Sequence, residues 1–255
     1  MSHDMIALRN CTSLEDLSLC VALQKEVWGF SDVELVPLRI FSLAPKIGGQ
    51  VVGAWDGETF VGYAMAIPGN RYGHPYLHSH MVAVKDGYRN IGLGRKLKLF
   101  QRDDAIARGY ELMEWTFDPL EIKNSYFNLE RLGAIARRYN VNQYGITNSP
   151  LQGFLPTDRL VAEWWMRSKR VKSLLNGGRP TAVVDERIDV PHEIYRWKAD
   201  PATREKAGEV QARNRQLLQS AFGRGLACLG YERDASGNGQ FLLGRWEENI
   251  SYTPQ

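Results

Sequence analysis

Apolar positions along the chain switch period several times, and each switch marks an element. MIALRNC reads as a first strand, and TSLEDLSLCVALQKEVWGF places Leu14, Leu17, Val21 and Trp28 on one helical face. Ser13 and Asp16 stand there in capping-box spacing. A Pro-containing segment with a short second helical stretch leads to GQVVGAWDGETFVGYAMAIPG, two strands about an Asp56-Gly57 turn. Residues Tyr76 to Val84 read as the next strand, and Leu93 to Ala107 as a helix. Leu93, Leu97, Phe100 and Ala107 form the stripe of that helix, interrupted by Asp104. ELMEWTFD then reads as a buried strand, EIKNSYFNLERLG as a short helix ending at Gly133, and AIARRYNV as a strand. The predicted order is β-α-α-β-β-β-α-β-α-β, an α/β pattern. RLVAEWWMR follows as a last core strand.

LLNGGRP looks like a boundary, so residues 1–168 are expected as one domain and 169–255 as a C-terminal α+β extension. In that extension Asp200-Pro201 signals a helix start, with Val210, Leu217 and Ala221 as the apolar face. LACLGYERDASGNGQFLLGRW reads as a hairpin turning near Asn238-Gly239.

Composition removes some function classes. With 44% hydrophobic and 24% charged residues among 255, the chain has the balance of a globular protein. A net charge of +3 with no concentrated basic stripe argues against nucleic acid as partner. Cys11, Cys20 and Cys228 lack metal-type spacing and read as buried thiols of a reducing compartment, so a cytoplasmic protein is expected. The first residues lack the pattern of a signal peptide, and no apolar run approaches membrane-spanning length, so no membrane partner is expected.

The segment VAVKDGYRNIGLGRKL carries the most chemistry. A strand ending in a glycine-rich turn that opens a helix points unpaired backbone N–H groups one way, at the positive end of the helix dipole. Gly92 and Gly94 would admit a phosphate to the backbone, with Arg89, Arg95 and Lys96 nearby. A helix start whose glycines only permit tight packing is the plainer reading. Neither a P-loop nor Gly-x-Gly-x-x-Gly is present.

This motif, Arg89-x-x-Gly92-x-Gly94 within MVAVKDGYRNIGLGRKL, together with the order of elements over about residues 5 to 168, resembles the GNAT superfamily of acyl-CoA-dependent N-acyltransferases. The resemblance implies a mixed, mainly antiparallel central sheet flanked by helices. It implies acetyl-CoA or another acyl-CoA, such as succinyl-CoA, as donor. Arg89, Asn90, Ile91, Gly92, Leu93, Gly94 and Arg95 would hold the pyrophosphate, and Met81, Val82, Ala83 and Val84 would align the pantetheine arm. Asn124, with Phe127 three residues on, matches the helix position that touches the arm in the family. The family's usual tyrosine is absent, since Asn128 and Leu129 occupy that stretch. Tyr139, Tyr144 or water would then protonate the leaving thiolate. The expected acceptor is a primary amine, of an amino acid or another small molecule, and a homo-oligomer is compatible with the extra residues.

An amine attacking a thioester needs a base. His80, then His78, are the candidates, because both lie on one side of the strand and imidazole titrates in a useful range. Hydrogen bonding within the sheet is the competing role for both. Asp118 and Glu121 read as helix caps or as holders of an ammonium group, and Arg137 and Arg138 as exposed charges or anion binders. Two alternatives stand beside the transferase. One is a non-catalytic acyl-CoA-binding regulator. The other is a metal-dependent hydrolase using His74, His78 and His80, whereas the transferase needs no metal.

Overall fold

The computed structural model describes residues 6–146, 153–248 and 250–252. The chain forms two compact units. One ends at Glu114 and takes in Tyr252, and the other runs from Trp115 to Ser251.

In the first unit, β1 (Ile6–Asn10), β2 (Gln50–Asp56), β3 (Thr59–Arg71) and β4 (His74–Val84) pair antiparallel in that order. The start of β5 (Leu112–Phe117) joins β4 in parallel through Leu77–Met113 and His78–Glu114. Helices α1 (Leu14–Trp28) and α2 (Leu38–Lys46) cover one face, and α3 (Leu93–Ala107) the other. Val51 of β2 accordingly packs with Leu17, Leu23 and Phe41, while its neighbour Val52 packs with Leu93 and Leu97. Burial on both faces explains why β2 reads as a nearly unbroken apolar run.

The predicted strands and the spans of α1 and α3 are present, but their buried stripes differ from expectation. In α1 the inward residues are Asp16, Leu17, Cys20, Leu23 and Gln24, and Leu14 is exposed. Asp16 is buried because Arg9 donates two bonds to it at 2.6 and 2.9 Å, and Gln24 because it bonds the backbone of Val36 at both ends of its amide. Ser13 Oγ accepts the Asp16 N–H at 3.1 Å, the one half of the predicted box that forms. In α3 the inward residues are Leu93, Leu97, Lys98, Gln101 and Ala105, and Ala107 is exposed.

The second unit holds α4 (Ile122–Tyr126), which continues as a π-turn over Phe127–Arg131, then β6 (Ile135–Asn140), β7 (Arg159–Trp165) and α5 (Lys169–Leu175). Next come β8 (Glu186–Val190), α6 (Ile194–Ala199), α7 (Arg204–Gly223), β9 (Leu226–Arg233) and β10 (Gly239–Arg245). Strands lie in the order β7–β6–β9–β10–β8, antiparallel throughout. Helices α5 and α6 and strand β8 were not predicted. Helix α7 begins at Arg204, after Asp200 has closed α6 and accepted the Ala202 N–H at 2.9 Å. Leu217 is exposed and Leu218 takes its place, on a stripe with Val210, Gln211, Asn214 and Ala221. The polar members pay for burial with bonds of 2.8 Å from Gln211 to Pro156 O and 3.0 Å from Asn214 to Asp189 O.

Candidate functional site

The joint between β4 and α3 is pinned from several sides. The Lys85 N–H donates to Val61 O at 3.0 Å, the Tyr88 hydroxyl to Asp56 at 2.8 Å, and Arg89 to Val84 O at 3.3 Å and to Asp86 at 2.7 Å. Between these anchors the backbone turns left-handed at Asn90 (φ 64°) and again at Gly92 (φ 85°), the residue that caps α3. No side chain caps this 15-residue helix, and its first turn carries no acidic residue. Its first amides therefore have no partner within the helix and face the positive end of the dipole. A Cβ at Gly92 or Gly94 would meet nothing within 4 Å. Neither glycine is therefore there for tight packing, and open space in front of unsatisfied N–H groups is the kind of place that suits a phosphate.

Upstream, the pairing of β4 with β5 covers only Leu77 and His78. Among the described residues the same edge of β4 from Ser79 to Val84 has no strand partner, leaving its main-chain groups open to an extended polar chain. The register against β3 also slips there, with Met65 opposite Met81 but Ala66 opposite Ser79. His80 is the extra residue of this bulge, a feature that re-aims side chains near active sites. Met81 and Ala83 pack into the cluster under α1 and α2, whereas Val82 and Val84 are half-buried against the cluster under α3. The rings of His78 and His80 lie 6.2 Å apart. His80 is exposed, and partial desolvation by the protein around it lowers its pKa below the ordinary 6.5. It is therefore neutral, and able to accept a proton, at neutral pH.

Behind the bulge lies a buried polar cluster the sequence did not announce. Lys98 Nζ bonds Ser79 Oγ at 2.7 Å, and Ser79 donates to Gln101 at 3.0 Å. Burial holds the Lys98 pKa well below its usual value. Ser79, next to His80, is thus anchored to the middle of α3.

The remaining candidates lie in the second unit. Trp115 Nε1 donates to Asn128 Oδ1 at 3.1 Å, and Asn128 Nδ2 to Asn124 Oδ1 at 3.4 Å, which fixes the exposed Asn124 amide on α4. Asn128, standing where the family tyrosine is missing, thus has a supporting role. Phe127 is half-buried at the start of the π-turn. The Tyr139 hydroxyl donates to Asp158 at 2.6 Å, and Arg215 bonds the same oxygen at 2.7 Å. Burial, reinforced by Asp158, pushes the Tyr139 pKa far up. Tyr144 is exposed and lies 3.3 Å from Thr116 Oγ1.

Asp118 and Glu121 are ion-pair partners, and no side chain caps α4 at Glu121, contrary to the cap reading. Asp118 accepts the Leu120 N–H at 2.8 Å, and Lys198 reaches Asp118 at 3.0 Å and Glu121 at 2.8 Å. Arg137 and Arg138 both bind Glu163, a buried carboxylate, rather than standing free on the surface. Burial opposes the charge on Glu163, but the two guanidinium groups outweigh it and lower its pKa. The predicted histidine cluster is broken up, because His74 stacks on Tyr252 with ring centroids 4.4 Å apart. Among the described residues no three His, Cys, Asp or Glu side chains are grouped to hold a metal. No described helix is long and apolar enough to cross a membrane.

The first unit is thus a mixed sheet between helix layers, with one strand edge open and running into a glycine-led helix N-terminus. Residues 18–127 match the model of the acetyltransferase (GNAT) family, and the fold is that of GNAT acetyltransferases. The fold agrees with that of the ribosomal-protein-S18-alanine N-acetyltransferase from Escherichia coli, at 15% identity and a TM-score of 0.52 over 64% of this chain and 96% of that one. It agrees equally with yncA of Salmonella typhimurium, described as an acetyltransferase and solved with its cofactor acetyl-CoA (16% identity, TM-score 0.51, 70% and 99% covered). A third similar structure, described as an acetyltransferase of the GNAT family, is from Desulfovibrio desulfuricans (17%, 0.50, 63% and 99%). No curated protein sequence matches the chain.

Proposed function

We propose that the protein transfers an acetyl or larger acyl group from acyl-CoA to the primary amine of an amino acid or another small molecule. The observation that carries this reading is the continuous path from the open edge of β4 to the empty space before Gly92 and Gly94. Amides from Asn90 to Arg95, with the Arg89 and Arg95 charges, hold the pyrophosphate of the donor. The main chain from Met81 to Val84 aligns the pantetheine arm. A backbone N–H of β4 polarises the thioester carbonyl, where negative charge develops as the amine attacks. The new N–C bond forms as the C–S bond breaks. His80 takes the proton from the amine, directly or through water, with His78 as its neighbour, and coenzyme A leaves as thiolate. Tyr139 can protonate that thiolate only by giving up its bond to Asp158.

Calorimetric titration with CoA, acetyl-CoA and succinyl-CoA, followed by thiol release across a panel of amines, tests the assignment. Dissociation constants below about 100 μM and amine-dependent thiol release are expected. The reading fails if no CoA species binds. Binding without turnover on any amine would instead favour an acyl-CoA-responsive regulator, a reading supported by the engaged Tyr139.

His80 gives a prediction of its own. The lowered pKa places the acid limb of kcat/KM below pH 6.5, with activity rising as pH rises through it. His80→Gln is expected to cost about a hundredfold in kcat at pH 7 and to remove that limb, with CoA affinity unchanged. A variant that keeps the wild-type pH profile would exclude His80 as the base. Stability follows the same sign: the unfolded chain binds this proton more tightly, so His80 destabilises the fold as pH falls from 6.5 through its lower folded value.

A further inference from the structure

Away from the residues given to the acyl donor, the second unit contains a cavity of about 350 Å³ lined by Lys123 and Tyr126 of α4, His192 and Tyr195 at α6, and Arg233 at the end of β9. Its parts are held in place by one another. The Lys123 N–H donates to the Tyr195 hydroxyl at 3.4 Å, and the His192 N–H to Asn238 Oδ1 at 2.8 Å. Gly237, with φ 88°, lets the His192 ring lie where a Cβ would approach it to 2.9 Å. The Arg233 guanidinium sits 4.3 Å from the centroid of Tyr126, and the His192 and Tyr195 rings meet edge to face at 5.8 Å.

The charges do not cancel within the cavity. Asp234, also in the lining, has one oxygen on the Asn238 N–H and the other on its side-chain amide, both at 2.8 Å. Among the described residues neither Lys123 nor Arg233 has a carboxylate partner, although both are exposed at the cavity. Two cations thus converge on a space walled by two tyrosines and an imidazole, and the Tyr195 oxygen, already accepting one bond, keeps its O–H to donate. Aromatic walls select a flat ring, and Arg and Lys select an anion. The volume suits one or two rings and not a dinucleotide.

We infer that this cavity is a second ligand site, for a small aromatic anion: a ring carrying a carboxylate or a phosphate. The ring lies against Tyr126 and Tyr195, and the anionic group bridges Arg233 and Lys123.

The test is calorimetric titration of the full chain with 4-hydroxybenzoate and with phenyl phosphate, using benzyl alcohol as the uncharged control. At least one anion is expected to bind with a dissociation constant near or below about 1 mM, and more weakly as salt is added. Arg233→Gln and Lys123→Gln should each weaken it by about tenfold while the thermal midpoint and CoA titration stay unchanged. Binding of only one probe identifies carboxylate or phosphate as the anion taken. No binding of either probe at about 10 mM, equal binding of benzyl alcohol, or titrations unmoved by Arg233→Gln would each overturn the site. Because CoA is titrated separately, failure here is distinguishable from failure of the acyltransferase reading.

Discussion

A Gly94→Glu variant is expected to fold at least as stably as the wild type and to lose coenzyme A. Gly94 lies in the first turn of α3, has no positive φ, and has nothing within 4 Å of where its Cβ would stand. Replacing glycine inside a helix removes a penalty of about 0.5–1 kcal/mol. A carboxylate in a first turn that has none gains about 0.3–1 kcal/mol from the dipole. The same side chain fills the space proposed for the pyrophosphate and puts a negative charge there. CoA affinity should fall by at least about a hundredfold, a cost of roughly 2.7 kcal/mol. Opposite signs for stability and binding are what make the variant informative. Gly92→Ala would be a poorer choice, since φ 85° strains any residue with a Cβ and lost binding could follow from lost structure. Thermal unfolding beside CoA titration of Gly94→Glu decides the matter. A stable variant that binds CoA as tightly as wild type would remove the cradle from the donor site.

That cradle was legible in the sequence because its physics is local. A strand, a glycine-bearing turn and a helix start are adjacent in the chain, and the spacing of Arg89, Gly92 and Gly94 survives without any tertiary information. The bulge at His80 was not legible. It depends on the register of β4 against β3, and nothing in HSHMVAV says that Ala66 will pair with Ser79 while Met65 pairs with Met81. The buried stripes were missed for one shared reason. In α1, α3 and α7 the inward faces include Asp16, Gln24, Lys98, Gln101, Gln211 and Asn214, each bonded through at least one polar atom to a partner outside its own helix. A reading of apolar period treats such positions as outward. It therefore recruits Leu14, Ala107 and Leu217 to complete faces that are in fact finished by hydrogen-bonded polar groups. The ion pairs hid in the same way: Glu163 lies 26 residues from Arg137, and Lys198 lies 80 from Asp118.

Lys198→Met is expected to be among the most destabilising single substitutions in the second unit. The ammonium is 4% exposed and sits between Asp118 and Glu121, with Asp118 itself nearly sequestered at 9%. Burial disfavours the charged amine, but the two carboxylates more than offset this and raise its pKa above 10.5. Methionine fills the volume and removes the charge, so Asp118 is left buried with the Leu120 N–H as its one remaining donor among these contacts. Stranding a buried charge costs about 3–5 kcal/mol. Glu121 is 30% exposed and can turn to water, so Asp118 carries most of the loss. One consequence separates this account from a mere packing defect. A second change, Asp118→Asn, should restore much of the stability, since the amide oxygen can still accept the Leu120 N–H. In the wild type the Lys198 contribution is complete below pH 10.5 and is lost as pH rises through the higher folded pKa, so the fold weakens in strong alkali. Denaturant unfolding of the wild type and of the single and double variants at neutral and alkaline pH reads these effects. A Lys198→Met protein within about 1 kcal/mol of wild type at pH 7 would show that Asp118 finds solvent or another donor, and that the extension does not supply the cation that holds the start of α4.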